Sequence, residues 1–291
     1  MLTLLTDFGT QDTYVGIMKG VILGINPGAT LVDLTHQVAP QDIPQGAFLL
    51  GYAAPYFPAE AIHLAVVDPG VGSARRALAV QGPSGTFVAP DNGLLTYALD
   101  LAPVGDAPGG NGAEGSETHT PSPGSLPVRE VPLPAGWRAV ALENPEFWRH
   151  PVSRTFHGRD IFAPVAAHLS LGVPLEQFGP PVTSLLALEV PRPCRTADGA
   201  LVGRVIAVDH FGNLLTNLTP ELLPAAGAPT FEVAGRRIAG LSQTYADGGE
   251  LVAVVGSTGR VEIAVRNGSA RSRLGVGVGA RVTVRPGGSP R

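Results

Sequence analysis

The stretch Ile62-His-Leu-Ala-Val-Val-Asp-Pro-Gly-Val-Gly-Ser-Ala-Arg-Arg-Ala-Leu-Ala-Val80 predicts two strands joined by a short polar loop. The apolar runs Ile62–Val67 and Ala77–Val80 have the length of buried strands. The Pro and Gly residues between them are typical of a turn. We therefore expect the chain to double back here, with Asp68 and Arg75 at the two ends of the loop.

Upstream of this stretch, strand patterns alternate with helix patterns. Leu2–Thr6 and Thr30–Leu34 are predicted strands, and apolar residues recur at helical spacing between them. A second helix is predicted to begin at Asp42, because Asp is a good N-cap and Pro44 fits the first helical turn. Strands that alternate with helices predict a mostly parallel sheet with helices on both faces.

The pattern of apolar residues in the sequence changes near residue 187. Short β-branched runs separated by Gly, Asn and Pro are typical of a small antiparallel β-barrel or sandwich. We therefore expect an α/β domain over residues 1–187 and a β-barrel domain over 188–291. Residues 102–136 are rich in Gly and Pro, and are predicted to form a mobile surface insertion without chemistry of its own. The predicted barrel strands are Leu201–Val208, Thr230–Val233, Leu251–Val255, Arg260–Val265 and Ala280–Val284.

Composition limits the classes of function. The 291 residues are 44% hydrophobic and 15% charged, which indicates a packed globular protein. A net charge of -4 disfavours nucleic acid as a partner. Cys194 is the single cysteine, and no His-x-His or His-Glu-x-x-His pattern occurs, so we expect no metal. The amino terminus has no basic leader and no apolar run approaches a membrane span, which predicts a cytoplasmic protein without membrane contact.

Two aspartates stand at the carboxyl ends of predicted strands. Asp7 follows the first strand and Asp68 the third, and ligands of parallel sheets bind beyond such ends. Asp7 is therefore a candidate acceptor for the two hydroxyls of a ribose, or else a local turn cap. Asp68 paired with Arg75 would stay ionised and could orient water. The same pair could equally be a structural salt bridge that closes the loop.

A histidine supplies the third candidate group. His157 lies in Thr155-Phe-His-Gly-Arg-Asp160, just before a helix whose predicted N-cap is Asp160. The positive end of the helix dipole there favours a neutral imidazole, although a purely structural histidine remains an alternative. Asp12 is the corresponding predicted N-cap of the first helix.

The barrel domain contributes two polar clusters that interrupt strand patterns. In the first cluster, the Asn213 amide carries the donor and the acceptor that an adenine edge requires, and Phe211 offers a ring for stacking. The second cluster runs from Gly256-Ser257 to Glu262. Either cluster could also be an ordinary hairpin turn.

With these clusters in place, the chain resembles the S-adenosyl-L-methionine (SAM) hydroxide adenosyltransferases, the adenosine-forming SAM hydrolases related to fluorinases. The resemblance covers nearly the whole chain apart from residues 102–136, and it depends on six motifs that occur in order. These are Thr6-Asp-Phe-Gly9, Val67-Asp-Pro-Gly-Val-Gly72 with Arg75, Pro90-Asp-Asn-Gly93, Phe156-His-Gly-Arg-Asp160, Asp209 with Phe211-Gly-Asn213, and Gly256-Ser257 with Glu262-Ile-Ala264.

The resemblance implies a role for each candidate residue and an α/β domain followed by a β-barrel. It also implies a homotrimer whose substrate lies between the first domain of one subunit and the second domain of its neighbour. The implied water-activating triad is Asp68, Arg75 and His157. The implied substrate-binding residues are Asp7 at the ribose, Asp12, Asp209 and Ser257 near the methionine, Phe211 and Asn213 at the adenine, and Glu262 of the last motif.

The implied reaction is hydrolysis of SAM to adenosine and L-methionine. The sulfonium makes the ribose C5' electrophilic and leaves as a neutral thioether, so the protein must supply an activated water and needs no cofactor. Two alternatives are a SAM-dependent halogenase and a SAM- or adenosine-binding protein without turnover. The Asp68 carboxylate favours water over halide because like charges repel.

Overall fold

Two large sheets contain most of the strands in the computed structural model, which describes residues 1–101, 126–225 and 227–287. These residues form two compact units, and the chain passes from the first to the second between Glu189 and Val190.

The first unit contains nine strands and three α-helices, together with a π-helical turn over Gly158–Phe162 and 3-10 turns over Ala54–Tyr56, Pro145–Phe147 and Leu175–Phe178. The strands are β1 (Leu2–Thr6), β2 (Leu31–Thr35), β3 (Ile62–Val66), β4 (Ala77–Gly82), β5 (Gly85–Pro90), β6 (Val128–Pro132), β7 (Arg138–Ala141), β8 (Pro181–Val182) and β9 (Ser184–Leu188). The helices are α1 (Tyr14–Ile25), α2 (Ile43–Ala53) and α3 (Ala163–Ser170).

The main sheet of this unit has the strand order β2-β1-β3-β5-β4-β7-β8. β1 pairs in parallel with β2 and β3, and β3 pairs in parallel with β5, whereas β4, β7 and β8 pair antiparallel with their neighbours. Only β4 and β8 therefore run against the common direction, which confirms the prediction of a mostly parallel sheet.

Helices cover both faces of this sheet. Leu4 of β1 belongs to a core cluster with Met18 and Ile22 of α1. Leu5, the next residue, lies near Gly46 of α2. Because successive strand residues point to opposite faces, α1 and α2 lie on opposite sides of the sheet, as predicted.

The predicted helix starts were correct at one position and wrong at two. Asp42 caps α2, since its Oδ1 accepts a hydrogen bond of 2.9 Å from the Gln45 backbone N–H. The N-cap of α1 is Thr13 rather than Asp12. Asp160 is not an N-cap either, because the helical turn already begins at Gly158.

The end of the predicted insertion over residues 102–136 contains a strand. Val128–Pro132 forms β6, which pairs antiparallel with β9 in a separate two-stranded sheet. Val131 is buried there. Burial of this apolar side chain offsets part of the conformational entropy that is lost when the strand becomes ordered. Residues 102–125 lie outside the described residues.

The second unit is an antiparallel sheet with the order β14-β13-β17-β11-β12-β16-β15, with β10 paired to β11. The edge strands β14 and β15 lie close together, which gives the nearly closed barrel that was predicted. Its interior includes Leu201, Phe231 and Ile263. The bounds are β10 (Cys194–Arg195), β11 (Leu201–Val208), β12 (Leu214–Thr216), β13 (Thr230–Val233), β14 (Arg236–Ala239), β15 (Leu251–Val255), β16 (Val261–Val265), β17 (Arg281–Arg285), a short α4 (Ala270–Leu274) and a 3-10 turn (Pro220–Leu222).

None of the helices in the described ranges combines the length and the apolar character that crossing a membrane requires.

Candidate active site

Asp68 and Arg75 form a bidentate ion pair across the loop between β3 and β4. Arg75 Nε lies 2.9 Å from Asp68 Oδ1, and Arg75 Nη2 lies 2.5 Å from Asp68 Oδ2. Only 5% of the Asp68 side chain and 11% of the Arg75 side chain is exposed. Because the pair is largely removed from water, its geometry is held by directed hydrogen bonds rather than by a screened surface contact.

His157 joins this pair through Arg75. Arg75 Nη2 lies 3.0 Å from His157 Nδ1, although the two residues are 82 positions apart in the chain. A guanidinium can only donate hydrogen bonds, so Nδ1 is the acceptor and the proton of the neutral ring lies on Nε2. Burial, followed by the Arg75 charge, lowers the pKa of His157, while Asp68 and Asp160 oppose the shift. The imidazole is therefore neutral at pH 7, with burial as the main cause.

Two contacts join the loop of Asp68 and Arg75 to residues on either side of His157. The Arg75 guanidinium carbon lies 5.2 Å from the centre of the Phe162 ring, which is a cation–π contact. Gly72 lies against the Arg154 backbone so closely that a Cβ at residue 72 would be 2.5 Å from the Arg154 carbonyl oxygen. The second contact joins the loop directly to the segment that precedes His157.

Asp160 anchors that segment from within the helical turn. Its carboxylate is fully buried and accepts bonds from Arg159 Nε at 2.6 Å and from the Ser153 backbone N–H at 2.8 Å. Arg149 adds a longer ion pair of 3.5 Å. The side chain that was expected to cap a helix therefore ties together residues 149–160 around His157.

Asp7 lies close enough to Asp68 for their charges to interact. Burial raises the pKa of Asp7 and the Asp68 charge adds to that shift, while backbone hydrogen bonds oppose it. One of these bonds is a contact of 2.8 Å from the Gln41 N–H to Asp7 Oδ2. Asp12, in contrast, is exposed in the turn before α1.

An aromatic cluster that the sequence analysis did not identify adjoins these groups. The ring of Phe8 lies 5.9 Å from those of Tyr14 and Phe156, and the Tyr14 and Phe156 rings are 5.2 Å apart. Phe8 follows Asp7 and Phe156 precedes His157 in the sequence. Because Phe8 and Phe156 are next to predicted site residues in the sequence, their position beside the site could have been predicted.

In the second unit, Asp209 and Asn213 are held together by two hydrogen bonds. The Asn213 backbone N–H donates to Asp209 Oδ1 and Asn213 Nδ2 donates to Asp209 Oδ2, both at 2.8 Å. Asn213 is buried, whereas the Phe211 ring between them in sequence is 74% exposed. Phe211 therefore leaves a large apolar surface available for contact.

Glu262 is buried beside this pair and bound by Tyr245, which the sequence analysis missed. Tyr245 Oη donates to Glu262 Oε2 at 2.9 Å. Burial raises the pKa of Glu262 and the Asp209 charge adds to it, while the Tyr245 bond opposes the shift. Burial and Glu262 raise the pKa of Tyr245 to about 12. Tyr245 lies in a loop without strand or helix periodicity, so no sequence pattern pointed to it.

The structure thus groups the predicted site residues into two sets. Asp7, Asp68, Arg75 and His157 lie together in the first unit, and Asp209, Asn213 and Glu262 lie together in the second. Ser257 is exposed one residue after Gly256, whose missing side chain leaves room for Glu262. Among the described residues, no three His, Cys, Asp or Glu side chains are placed to hold a metal ion.

Comparison with known proteins gives consistent matches over nearly the whole chain. A relative from Salinispora tropica, named (R)-S-adenosyl-L-methionine hydrolase, is 42% identical over 290 residues and 98% of each chain is covered. A relative of the same name from Thermus thermophilus is 42% identical over 282 residues, with 96% of each chain covered. Proteins named fluorinase match at lower identity, with 28% over 253 residues for that of Actinoplanes sp., covering 78% of this chain and 74% of that protein.

A solved structure of an uncharacterized conserved protein from Thermotoga maritima superposes with a TM-score of 0.79 at 32% identity, covering 98% of this chain and 99% of that chain. Two family models also match: the SAM hydroxide adenosyltransferase N-terminal domain over residues 2–110 and 125–179, and the corresponding C-terminal domain over residues 203–283. The chain belongs to the SAM hydroxide adenosyltransferase family.

Proposed function

We propose that this protein hydrolyses S-adenosyl-L-methionine to adenosine and L-methionine. The observation that carries the proposal is the hydrogen-bonded series Asp68–Arg75–His157 at the carboxyl edge of the first sheet. The names of the relatives at 42% identity support the same reaction.

The chemistry of the substrate defines what the protein must provide. In SAM the positively charged sulfur withdraws electrons from the ribose C5' and departs as the neutral thioether of methionine. The leaving group needs no acid, and no cofactor is needed. Water has a pKa of about 15.7 and is a weak nucleophile, so the protein must position it and accept its proton as the bond to C5' forms.

The hydrogen-bond geometry favours Asp68 as the proton acceptor. Arg75 has no lone pair to offer. His157 uses Nδ1 to accept from Arg75 and carries its proton on Nε2, so it can only donate from that nitrogen. Each Asp68 oxygen has two lone-pair sites and Oδ1 accepts one close bond, from Arg75 Nε, which leaves capacity for a water proton.

Arg75 and His157 then act as positioning and electrostatic groups. The guanidinium stabilises negative charge as the water acquires hydroxide character, and it fixes the orientation of the Asp68 carboxylate. The Nε2–H of His157 is a donor that can hold the water oxygen in line with C5'. Together the three residues account for a water held by one acceptor and two donors.

The remaining residues fit the parts of the substrate. Asp7 accepts the ribose hydroxyls, while Asp12, Asp209 and Ser257 bind the methionine portion. The exposed Phe211 ring and the Asn213 amide bind adenine, and Glu262, held by Tyr245, completes the substrate-binding set of the second unit. We further propose a cytoplasmic homotrimer in which the second unit of a neighbouring subunit completes each site, as the family resemblance implies.

The Asp68 carboxylate is also what distinguishes hydrolysis from halogenation. A halide ion placed next to this carboxylate would be repelled, whereas a water molecule would donate a hydrogen bond to it. The lower identity of the fluorinases agrees with this assignment.

The direct test is product analysis after incubation of the purified protein with SAM. We expect adenosine and methionine in equal amounts, with and without added chloride or fluoride. A 5'-halo-5'-deoxyadenosine as the main product would show a halogenase.

The Asp68→Ala variant should lose adenosine formation while SAM binding stays within about tenfold, and unchanged turnover would remove Asp68 from the mechanism. If the unmodified protein bound SAM without forming either product, it would be a binding protein.

A further inference from the structure

Two consecutive residues, Asp91 and Asn92, contact both ends of the loop that carries Asp68 and Arg75. They follow β5 directly, in the motif Pro90-Asp-Asn-Gly93, and the proposed function gives them no role. The strand order explains their location. β5 lies between β3 and β4, so the loop from β3 to β4 must cross the carboxyl end of β5. The first residues after β5 therefore meet the loop there.

Asn92 holds the incoming end of the loop. Its Nδ2 donates to the Val67 carbonyl at 2.9 Å, and Val67 immediately precedes Asp68. Its Oδ1 accepts from the Leu94 backbone N–H at 3.2 Å, which identifies the orientation of the amide. The Asn92 side chain thus fixes the peptide from which the Asp68 side chain extends.

Asp91 holds the outgoing end. Its Oδ2 accepts from Arg76 Nε at 2.7 Å, and its backbone N–H donates to the Arg76 carbonyl at 2.9 Å. The Asp91 carboxylate is itself fixed, since Oδ1 accepts from the Leu186 N–H at 2.8 Å and the side chain is only 3% exposed. Arg76 immediately follows Arg75, so this contact fixes the residue next to the guanidinium that joins Asp68 to His157.

We propose that Asp91 and Asn92 are positioning residues that set the geometry of the Asp68–Arg75 pair by clamping the two ends of its loop. The proposal rests on the proposed function only for its catalytic consequence. The structural part of the proposal is that the Asp68–Arg75 ion pair depends on the contacts of Asp91 and Asn92 with the loop. This part does not depend on the proposed function. Catalysis by an oriented water is sensitive to displacements of about 1 Å, which can cost on the order of 10²-fold in rate.

The test compares Asn92→Ala with a matched control in the same turn. Thr96→Val is suitable because Thr96 Oγ1 donates to the Gly93 carbonyl and accepts from the Leu188 N–H, both buried bonds that do not touch the loop. Asn92→Ala loses two partly buried hydrogen bonds, and Thr96→Val loses two buried ones. We expect Asn92→Ala to reduce kcat by about 10- to 100-fold with KM within about threefold, and Thr96→Val to keep kcat within about twofold at a similar loss of thermal stability.

A second variant gives a readout that a purely structural role would not change. In Asn92→Asp the introduced carboxyl can donate to the Val67 carbonyl only when it is protonated. The kcat of Asn92→Asp, divided by that of the unmodified protein, should therefore rise as the pH falls from 8 to 5.5. The same ratio for Asn92→Ala should stay flat. This variant also keeps the size of the side chain, so it serves if Asn92→Ala does not fold.

The state of the ion pair can be observed without turnover. In protein labelled with 15N-arginine, the Arg75 Nε–H, which donates to Asp68, should give a signal protected from exchange, identified by its loss in Arg75→Lys. We expect this signal to lose protection in Asn92→Ala and to persist in Thr96→Val. If the Arg75 signal stayed protected in Asn92→Ala, or if the kcat of that variant were unchanged, the proposed positioning role of Asp91 and Asn92 would be wrong. Absence of adenosine from the unmodified protein would instead defeat the proposed function, and the Arg75 signal would still decide the structural claim.

Discussion

The position of one proton on His157 follows from its neighbour Arg75. A guanidinium donor on Nδ1 requires that nitrogen to be unprotonated, and burial keeps the ring neutral. Protonation would place two positive donors against each other. The residue is therefore competent only in its neutral form, which is the form that a lowered pKa maintains at pH 7.

This requirement predicts the acid limb of the pH–rate profile. Because burial and the Arg75 charge lower the pKa of His157 from its ordinary value of about 6.5, the neutral form predominates at and above that pH and is lost on further acidification. We expect kcat/KM to change by less than about twofold from pH 6.5 to 8 and to fall on further acidification, and His157→Asn to reduce kcat by roughly 10²-fold. An acid limb centred at or above pH 7 would contradict the lowered pKa.

His63 provides a second pH effect, on folding rather than on catalysis. It lies within β3, fully buried, with Nδ1 2.8 Å from Thr3 Oγ1 and its ring stacked on Phe87. Burial lowers its pKa to about 4. The unfolded chain, with a histidine pKa of about 6.5, therefore binds a proton between pH 6.5 and 4 that the folded chain does not.

The free energy of unfolding should accordingly decrease as the pH falls from about 6.5 to about 4, by about 3 kcal/mol from this residue, and no further below that. The measurement is urea unfolding at several pH values for the unmodified protein and for His63→Asn, which keeps a group able to bond Thr3. The difference between the two proteins should change over this window. A constant difference would show that His63 does not titrate as inferred.

At the scale of elements, two loops create the site, and Gly72 joins them. The loop from β3 to β4 carries Asp68 and Arg75, and the segment before α3 carries His157. Gly72 has a φ of +79° and lies against the Arg154 carbonyl. Any other residue there would meet both a strained backbone and a steric clash.

Comparison of two glycines separates these effects. Gly172 has a φ of +86° and has open space around its Cβ position, so Gly172→Ala introduces the backbone strain alone. We expect Gly172→Ala to lower the free energy of unfolding by about 1–2 kcal/mol with kcat unchanged. Gly72→Ala should lower the free energy of unfolding further. It should also reduce kcat at least about tenfold, because the added Cβ pushes the two loops apart. Equal kcat values for Gly72→Ala and Gly172→Ala would show that catalysis does not require the close contact between Gly72 and the Arg154 backbone.

Sequence periodicity located most of these elements but not their exact starts. α1, α2 and the long barrel strands follow from apolar spacing. Asp160 was misassigned because a carboxylate near a helix start is normally a cap, whereas here Arg159 and the Ser153 N–H bind it. The strands from β5 to β10, together with β12 and β14, were not predicted. β12 and β14 are short, and β14 has arginines at two of its four positions.

At the scale of the whole molecule, the predicted residues fall into two units with different chemistry. The first unit holds the groups that are proposed to activate water, and the second holds the groups that are proposed to bind adenine and part of the methionine. The proposed homotrimer brings together the first unit of one copy and the second unit of another. Three chains of 29.9 kDa would sediment as a particle of about 90 kDa.

Mixing two inactive variants tests this arrangement. Asp68→Ala disables the first unit and Asp209→Ala the second. If each site combines units from two copies, random heterotrimers contain sites in which both units are intact, about one in four. Co-expression should therefore restore about a quarter of the activity, whereas each variant alone stays inactive. If each site were built from a single chain, co-expression would restore nothing.

The sequence by itself determined the fold class, the two-part organisation and the family, because strand and helix periodicity and the six motifs depend on residues that are close in the chain. Tertiary structure alone decided which nitrogen of His157 carries the proton, through its contact with Arg75, and that Tyr245 binds Glu262. The first of these contacts joins residues 82 positions apart in the chain, and the second joins residues 17 positions apart. They depend on strand order and on the crossing of β5 by a loop, and no local pattern encodes either.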